Sequence, residues 1–179
     1  MRKLKLKMEV SVDGFVGGTD GDVEWAMASY DDEELTAATV DALGRAGVHA
    51  MGRRTYEDMA AHWPTSEEPF APPMNDIPKV VFSRTLPEAT WPETRIARGD
   101  LAEEVARLKA QPGDDILAHG GAGFAQALTR LDLVDEYHLN VHPVALGEGL
   151  PLFGGRVHLR ARSARTYRNG AVTVVYERA

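Results

Sequence analysis

The 179-residue sequence contains no cysteine. That single absence excludes disulfide scaffolds, thiolate zinc sites and cysteine nucleophiles, and it fits a reducing, cytoplasmic setting. No stretch approaches the ~20 consecutive apolar residues of a membrane-spanning helix. The N-terminal Met1-Arg2-Lys3-Leu4-Lys5-Leu6-Lys7 carries charge where a secretory signal needs an unbroken apolar run. Basic residues are in deficit, 20 against 27 acidic, for a net charge of −7. The chain as a whole is therefore repelled by phosphate backbones and anionic lipid, so the expected partner is a small molecule rather than nucleic acid or membrane. GxGxxG, GxxxxGK[ST] and GxSxG patterns are all missing, so neither a short phosphate-binding signature nor a nucleophile elbow is present.

What is present is ordinary globular composition, 44% hydrophobic and 26% charged, in a length that suits one domain spanning 1–179. Leu4, Leu6, Met8, Val10 and Val12 alternate with Lys3, Lys5, Lys7, Glu9 and Ser11, the period of a strand. Asp13-Gly14, Gly17-Gly18 and Asp20-Gly21 make the following segment turn-rich. A helix is expected over Asp32–Ala46, a buried strand over Val48–Met51, and a second helix over Tyr56–Ala61 opened by Gly52-Arg53-Arg54-Thr55. Five prolines between Pro64 and Pro78 predict loop. Further strands are expected at Lys79–Ser83, Asp115–Ala118 and Tyr137–Val144, with helices at Asp100–Ala110 and Phe124–Leu131. A terminal hairpin over Ala161–Arg178 turns at Asn169-Gly170, a two-residue turn signal. Strands alternating with helices predict a three-layer α/β fold, with a mostly parallel central sheet and an antiparallel C-terminal hairpin.

Three segments put glycine or small residues at strand-to-helix junctions: Met51-Gly52-Arg53-Arg54-Thr55, Ser83-Arg84-Thr85 and Gly120-Gly121-Ala122-Gly123. Free amides at a helix start attract anions, glycine lets backbone approach a phosphate, and arginine adds charge-assisted hydrogen bonds. Their coincidence points to a phosphorylated cofactor. His138 and His142 lie four apart on an alternating strand, a span of ~13 Å, so they do not share one metal ion unaided.

Ser11-Val12-Asp13-Gly14-Phe15-Val16, Met51 to Glu57, Val81-Phe82-Ser83-Arg84-Thr85-Leu86 and Gly120 to Gly123, in that order, resemble the dihydrofolate reductase superfamily. Leu131 to Tyr137 and His142 to Phe153 are similar to one branch of it, the reductase domain of the bifunctional riboflavin-biosynthesis deaminase/reductase. The resemblance runs from about Leu4 to the terminal hairpin. It implies that Val10 and Ser11, with Val16 and Gly17, border a nicotinamide. Gly52, Arg53, Arg54 and Thr55 would hold cofactor phosphates, and Gly120, Gly121, Ala122 and Gly123 would cradle the pyrophosphate. Ser83 and Arg84 would contact the 2′-phosphate of NADPH, a role that suits bidentate arginine pairing. The riboflavin-type branch commonly dimerises, so a homodimer is expected.

Lys7 and Glu9 depart from the continuous apolar run of a central parallel strand. The folate enzymes are apolar at the matching positions, whereas the riboflavin-type reductases resemble this chain in having lysine at Lys7. Two readings stand: a polar substrate pocket to which Lys7, Glu9 and Asp13 are candidates, or a solvated edge face or dimer rim. The folate enzymes also place a carboxylate on the helix after the first loop. Counting from Trp25 puts that site on Tyr30, and counting back from Gly52 puts it on Thr36. Neither is acidic. The expected function is NADPH-dependent reduction of a small heterocyclic or carbonyl substrate, with dihydrofolate disfavoured. The alternatives are the reductase of riboflavin biosynthesis that acts on 5-amino-6-(5-phosphoribosylamino)uracil, or an NADP-binding module without turnover.

Overall fold

The computed structural model describes all residues, 1–179. The chain runs β1 (Leu4–Ser11), β2 (Phe15–Gly17), α1 (Glu24–Met27), a 3-10 turn at Ala28–Asp31, α2 (Glu33–Gly44), β3 (Val48–Gly52), α3 (Arg53–His62), a 3-10 turn at Trp63–Thr65, α4 (Ala71–Asp76) and β4 (Lys79–Phe82). It continues through β5 (Thr94–Ala97), α5 (Leu101–Ala110), β6 (Ile116–His119), α6 (Ala122–Arg130), β7 (Glu136–His142), β8 (Leu150–Pro151), β9 (Leu159–Thr166) and β10 (Val172–Arg178).

Eight strands form one sheet in the order β5-β4-β3-β6-β1-β7-β10-β9. The first six are mutually parallel, and β10 and β9 close the sheet antiparallel. The mostly parallel sheet with its antiparallel hairpin is thus observed. β1 lies inside the sheet between β6 and β7, so the solvated-edge reading of Lys7 is overturned.

The alternation of β1 sorts its side chains between two unlike faces. Leu4, Leu6, Met8 and Val10 join the main core with Val105 and Leu108 of α5 and Ala125 and Leu128 of α6. On the opposite face a second core gathers Leu43 of α2, Tyr56 of α3 and Met74 of α4 around Met51, Val81, Leu117 and Trp91. Helices therefore cover both faces, and Lys7 and Glu9 project to the α2 side. Asp32 caps α2 by accepting from the amides of Glu34 and Leu35, and Asp100 does the same for α5.

The proline-rich segment 64–78 is not all loop. Pro72 and Pro73 lie in the first turn of α4, where a missing N–H leaves no hydrogen bond unmade. The short strands β2, β5 and β8 were not predicted, because three or four residues give too little alternation to read. The hairpin turn is also longer than two residues: residues 167–171 connect β9 to β10. Asn169 donates its side-chain amide to the Ser29 carbonyl at 2.6 Å, which draws the tip onto the 3-10 turn before α2. Gly170 takes φ +87°, the left-handed conformation that favours glycine.

Candidate active site

All six parallel strands end at one rim of the sheet, and there the chain divides. From β3 it enters α3 on one face, whereas from the adjacent β6 it enters α6 on the other. Such a point, outside the carboxyl ends of parallel strands, opens a crevice between two diverging helices. The helix starts are close: a Cβ on Gly52 would lie 3.2 Å from the Phe124 side chain, and one on Gly121 would lie 3.4 Å from Thr55 Oγ1. Gly52 and Gly121 are the residues preceding α3 and α6, and neither helix has a side-chain cap on its first amides. A Cβ on Gly120 would lie 2.7 Å from Met8 Sδ and 3.2 Å from the Ala125 side chain, so any larger residue there would require Met8 to shift. Two uncapped helix starts converging without side-chain bulk fit the pyrophosphate of a dinucleotide.

Arg53 and Arg54 follow at the mouth of α3, both exposed. Arg53 is held by Glu57 at 2.7 Å and by Thr85 Oγ1 at 2.8 Å, which ties α3 to the loop after β4. Ser83 Oγ accepts from the amides of Thr85 (3.2 Å) and Leu86 (2.9 Å), shaping the turn that presents exposed Arg84. Arg98, which follows β5, joins this loop by donating to the carbonyls of Arg84 and Pro87. Sequence reasoning missed Arg98 because β5 itself was not recognised.

Beside this crevice, on the α2 face, lies a polar cluster built on β1 and β7. Lys7 and Glu9 form an ion pair with side chains only 12% and 18% exposed. Glu9 Oε1 also accepts from Tyr30 Oη at 2.9 Å and from Asn140 Nδ2 at 3.3 Å, and Glu9 Oε2 lies 2.6 Å from His142 Nε2. Asn140 Oδ1 accepts from Thr173 Oγ1 at 2.7 Å, and Thr173 bonds Tyr167 in turn. Burial alone would raise the Glu9 carboxyl, but the Lys7 charge and the hydrogen bonds from His142 and Lys7 outweigh it and hold it down at about 2. For Lys7, burial is likewise outweighed, by the Glu9 charge, and the ammonium is held above its ordinary value. The pair is ionised across the physiological range. A small cavity of about 50 Å³ adjoins it under α2, lined in part by Lys7, Thr39, His138, Asn140, Tyr167 and Thr173.

Tyr30, one of the two positions to which counting assigns the helix carboxylate of the folate enzymes, lies in the 3-10 turn before α2. Its hydroxyl reaches Glu9, so the carboxylate in this site comes from the strand. Ser11 and Val10 end β1 at the rim and are buried, as are Val16 and Gly17 on the covering segment. Asp13 is not in the cluster: it is exposed and bonds Ser11 Oγ and the amides of Leu146 and Gly147, anchoring the loop after β7. The sequence did not single out Tyr30, Asn140 or His142 as neighbours of Glu9. Strand pairing of β1 with β7 brings Asn140 and His142 into register with Glu9 and Ser11.

The fold is a mostly parallel α/β sheet of the dihydrofolate reductase type, closed by an antiparallel C-terminal hairpin. Residues 2–173 match the model of the RibD C-terminal domain, and the chain belongs to that family. It is 33% identical over 183 residues to YyaP of Bacillus subtilis (strain 168), covering 98% of this chain and 94% of that one, and YyaP is uncharacterised. Among solved structures, a Shewanella sp. PV-4 protein provisionally named for riboflavin biosynthesis superposes with a TM-score of 0.78 at 22% identity, covering 99% of both chains. The deaminase/5-amino-6-(5-phosphoribosylamino)uracil reductase of Thermotoga maritima superposes with a TM-score of 0.72 at 15% identity, over 99% of this chain and 57% of that one. No helix is long and apolar enough to cross a membrane.

Proposed function

We propose that the protein is an NADPH-dependent reductase acting on a small heterocyclic or carbonyl compound. The observation that carries this reading is the meeting of two uncapped, glycine-led helix starts at the sheet's switch point, next to a buried charged cluster. The α3 and α6 starts would hold the pyrophosphate, and Arg84 with Ser83 the 2′-phosphate. Bound there, the cofactor would supply hydride, and the chain's task is to orient the substrate and keep water away from it. Val10, Ser11, Val16 and Gly17 supply a buried rim suited to an apolar ring edge.

Lys7 already has Glu9 as counter-ion, so the cluster carries little net charge. It suits a ligand with several hydrogen-bonding groups better than a simple anion. A flat pterin would find an ammonium and a carboxylate where the folate enzymes offer apolar surface. 5-Amino-6-(5-phosphoribosylamino)uracil, rich in donors and acceptors, is the favoured specific substrate, supported by the family and by Lys7. The Glu9 carboxylate, to which Tyr30 donates a hydrogen bond, argues against a binding module that has lost turnover. We also place the protein in the cytoplasm as a homodimer that takes small molecules alone as ligands.

The test is NADPH oxidation followed at 340 nm with that aminouracil phosphate and, separately, with dihydrofolate, alongside calorimetric titration of NADPH. Turnover of the aminouracil and slow or absent turnover of dihydrofolate are expected. Failure of NADPH to bind would remove the reading altogether. Rapid dihydrofolate turnover would remove the substrate class.

A further inference from the structure

His142 ends β7 directly across from Ser11 of β1, at the rim where the crevice opens. Its side chain is 0% exposed. The Nε2 atom lies 2.6 Å from Glu9 Oε2. A carboxylate can only accept, and this one is held ionised by Lys7, so Nε2 carries a hydrogen and the ring is fixed by that bond. The other nitrogen, Nδ1, is buried and has no hydrogen-bond partner in the protein. Buried polar atoms almost always have one, and an orphan at a site rim calls for a partner that the chain does not supply.

The rest of the surroundings holds the ring in place. Trp25 of α1 meets it edge-on with centroids 5.8 Å apart, and Tyr30 packs at 6.2 Å. Tyr30 and Asn140 bond Oε1 of the same Glu9 carboxylate, whose Oε2 meets the imidazole. The charged and titratable groups facing the ring are thus Glu9 and Lys7 from β1 and Tyr30 from the turn before α2. A carboxylate on one nitrogen of a buried imidazole does two things: it selects the tautomer and it stabilises the imidazolium when the other nitrogen takes a proton.

We propose that His142 Nδ1 contacts the substrate and delivers the proton that accompanies its reduction, with Glu9 as the positioning residue. This rests on the reductase reading. Hydride adds to one atom of the substrate's polarised double bond. The freed electron pair on the neighbouring atom then takes the proton from Nδ1–H of the imidazolium, leaving neutral His142 to be reprotonated from water. The substrate gains two electrons and one proton beyond the hydride nucleus, so charge and atoms balance. The carboxylate that a folate enzyme carries on its helix is thereby replaced by a strand carboxylate acting through an imidazole.

Nitrogen-15 NMR of histidine-labelled protein, assigned with His142→Gln, tests the arrangement without substrate. At pH 8 the wild-type ring is expected as a single Nε2-protonated tautomer. Glu9→Gln should release it into a mixture, and Glu9→Asp should restore part of the lock. A wild-type ring that carries its hydrogen on Nδ1 and not on Nε2, or one without a fixed tautomer, would overturn the proposal. In turnover of 5-amino-6-(5-phosphoribosylamino)uracil, His142→Gln should lower kcat roughly 100-fold or more while changing the KM for NADPH by less than about threefold. A variant that keeps more than about a third of wild-type kcat would equally overturn it. If wild type does not oxidise NADPH with this compound, the substrate reading fails, and the tautomer measurement still decides whether Glu9 holds His142 as required. Should His142→Gln not fold, the comparison of wild type, Glu9→Gln and Glu9→Asp decides alone.

Discussion

His119 donates a hydrogen bond from Nε2 to Nδ1 of His49 at 2.8 Å, and the direction follows from a third group. His49 Nε2 lies 3.1 Å from the Pro73 carbonyl, which can only accept, so His49 must present a bare Nδ1 to its neighbour. The pair bridges β3 and β6 beneath the crevice, and His119 stands in register with Lys7. Burial lowers both rings, His49 to about 4 and His119 well below its ordinary value, with Lys7 adding to the effect on His119. Both are neutral in the folded protein.

The pH dependence of stability follows from that neutrality. A histidine whose folded pKa is depressed binds fewer protons folded than unfolded, so its contribution is present above about 6.5 and is lost as pH falls toward about 4. For His49 alone the loss is on the order of 2–4 kcal/mol over that window. Urea midpoints at pH 7.5 and pH 5 should therefore drop markedly in wild type and less in His49→Gln. Equal midpoints at the two pH values in wild type would contradict the buried neutral pair.

Lys7 and Glu9 should couple strongly. Removing one partner strands the other charge in the interior, typically a loss of ~3–5 kcal/mol. Lys7→Met and Glu9→Gln are each expected to lower stability, and the double variant to lose much less than their sum. Additive losses in a double-mutant cycle measured by denaturation would show that the two charges are independently solvated.

Arg84 should separate the two nicotinamide cofactors. Loss of one charge-assisted contact typically amounts to ~1.5–3 kcal/mol, roughly ten- to hundredfold in affinity. Calorimetry of Arg84→Ala is expected to show that loss for NADPH and little change for NADH. Arg53→Ala, at the helix start, should weaken both. Equal effects of Arg84→Ala on the two cofactors would remove its assignment to the 2′-phosphate.

The outer edge of β9 bears on oligomeric state. Its strand is exposed along nearly its whole length and has no neighbour beyond β10. Unpaired strand edges invite a second copy. Charges that could blunt this edge are partly satisfied: Arg160 and Arg162 bond Glu177, and Arg165 bonds Glu34. Light scattering at tens of micromolar should give about twice the chain mass of 19.6 kDa. The monomer mass would mean that the arginines protect the edge sufficiently.

Much of this architecture was legible in the sequence because the signals are local. Alternation marked β1, the Asp32 and Asp100 caps marked the starts of α2 and α5, and glycines before Arg53 and Ala122 marked the helix starts that face the crevice. Each depends on residues within a turn or two of one another. The short strand β5 and the helix α4 escaped because neighbouring strands and packing, rather than a repeating pattern, stabilise them.

The chemistry of the cluster was decided elsewhere. Sequence alone put Lys7 and Glu9 two apart on one strand face, without telling an exposed edge from a buried pocket. Only the order of the sheet buried them, and only the parallel register of β1 with β7 set Asn140 and His142 against Glu9, more than a hundred residues away. Tyr30 reached the same carboxylate through the turn before α2. Residue types and local periods are written along the chain, whereas the partner that neutralises a buried charge is chosen by strand order and register, which long-range packing alone determines.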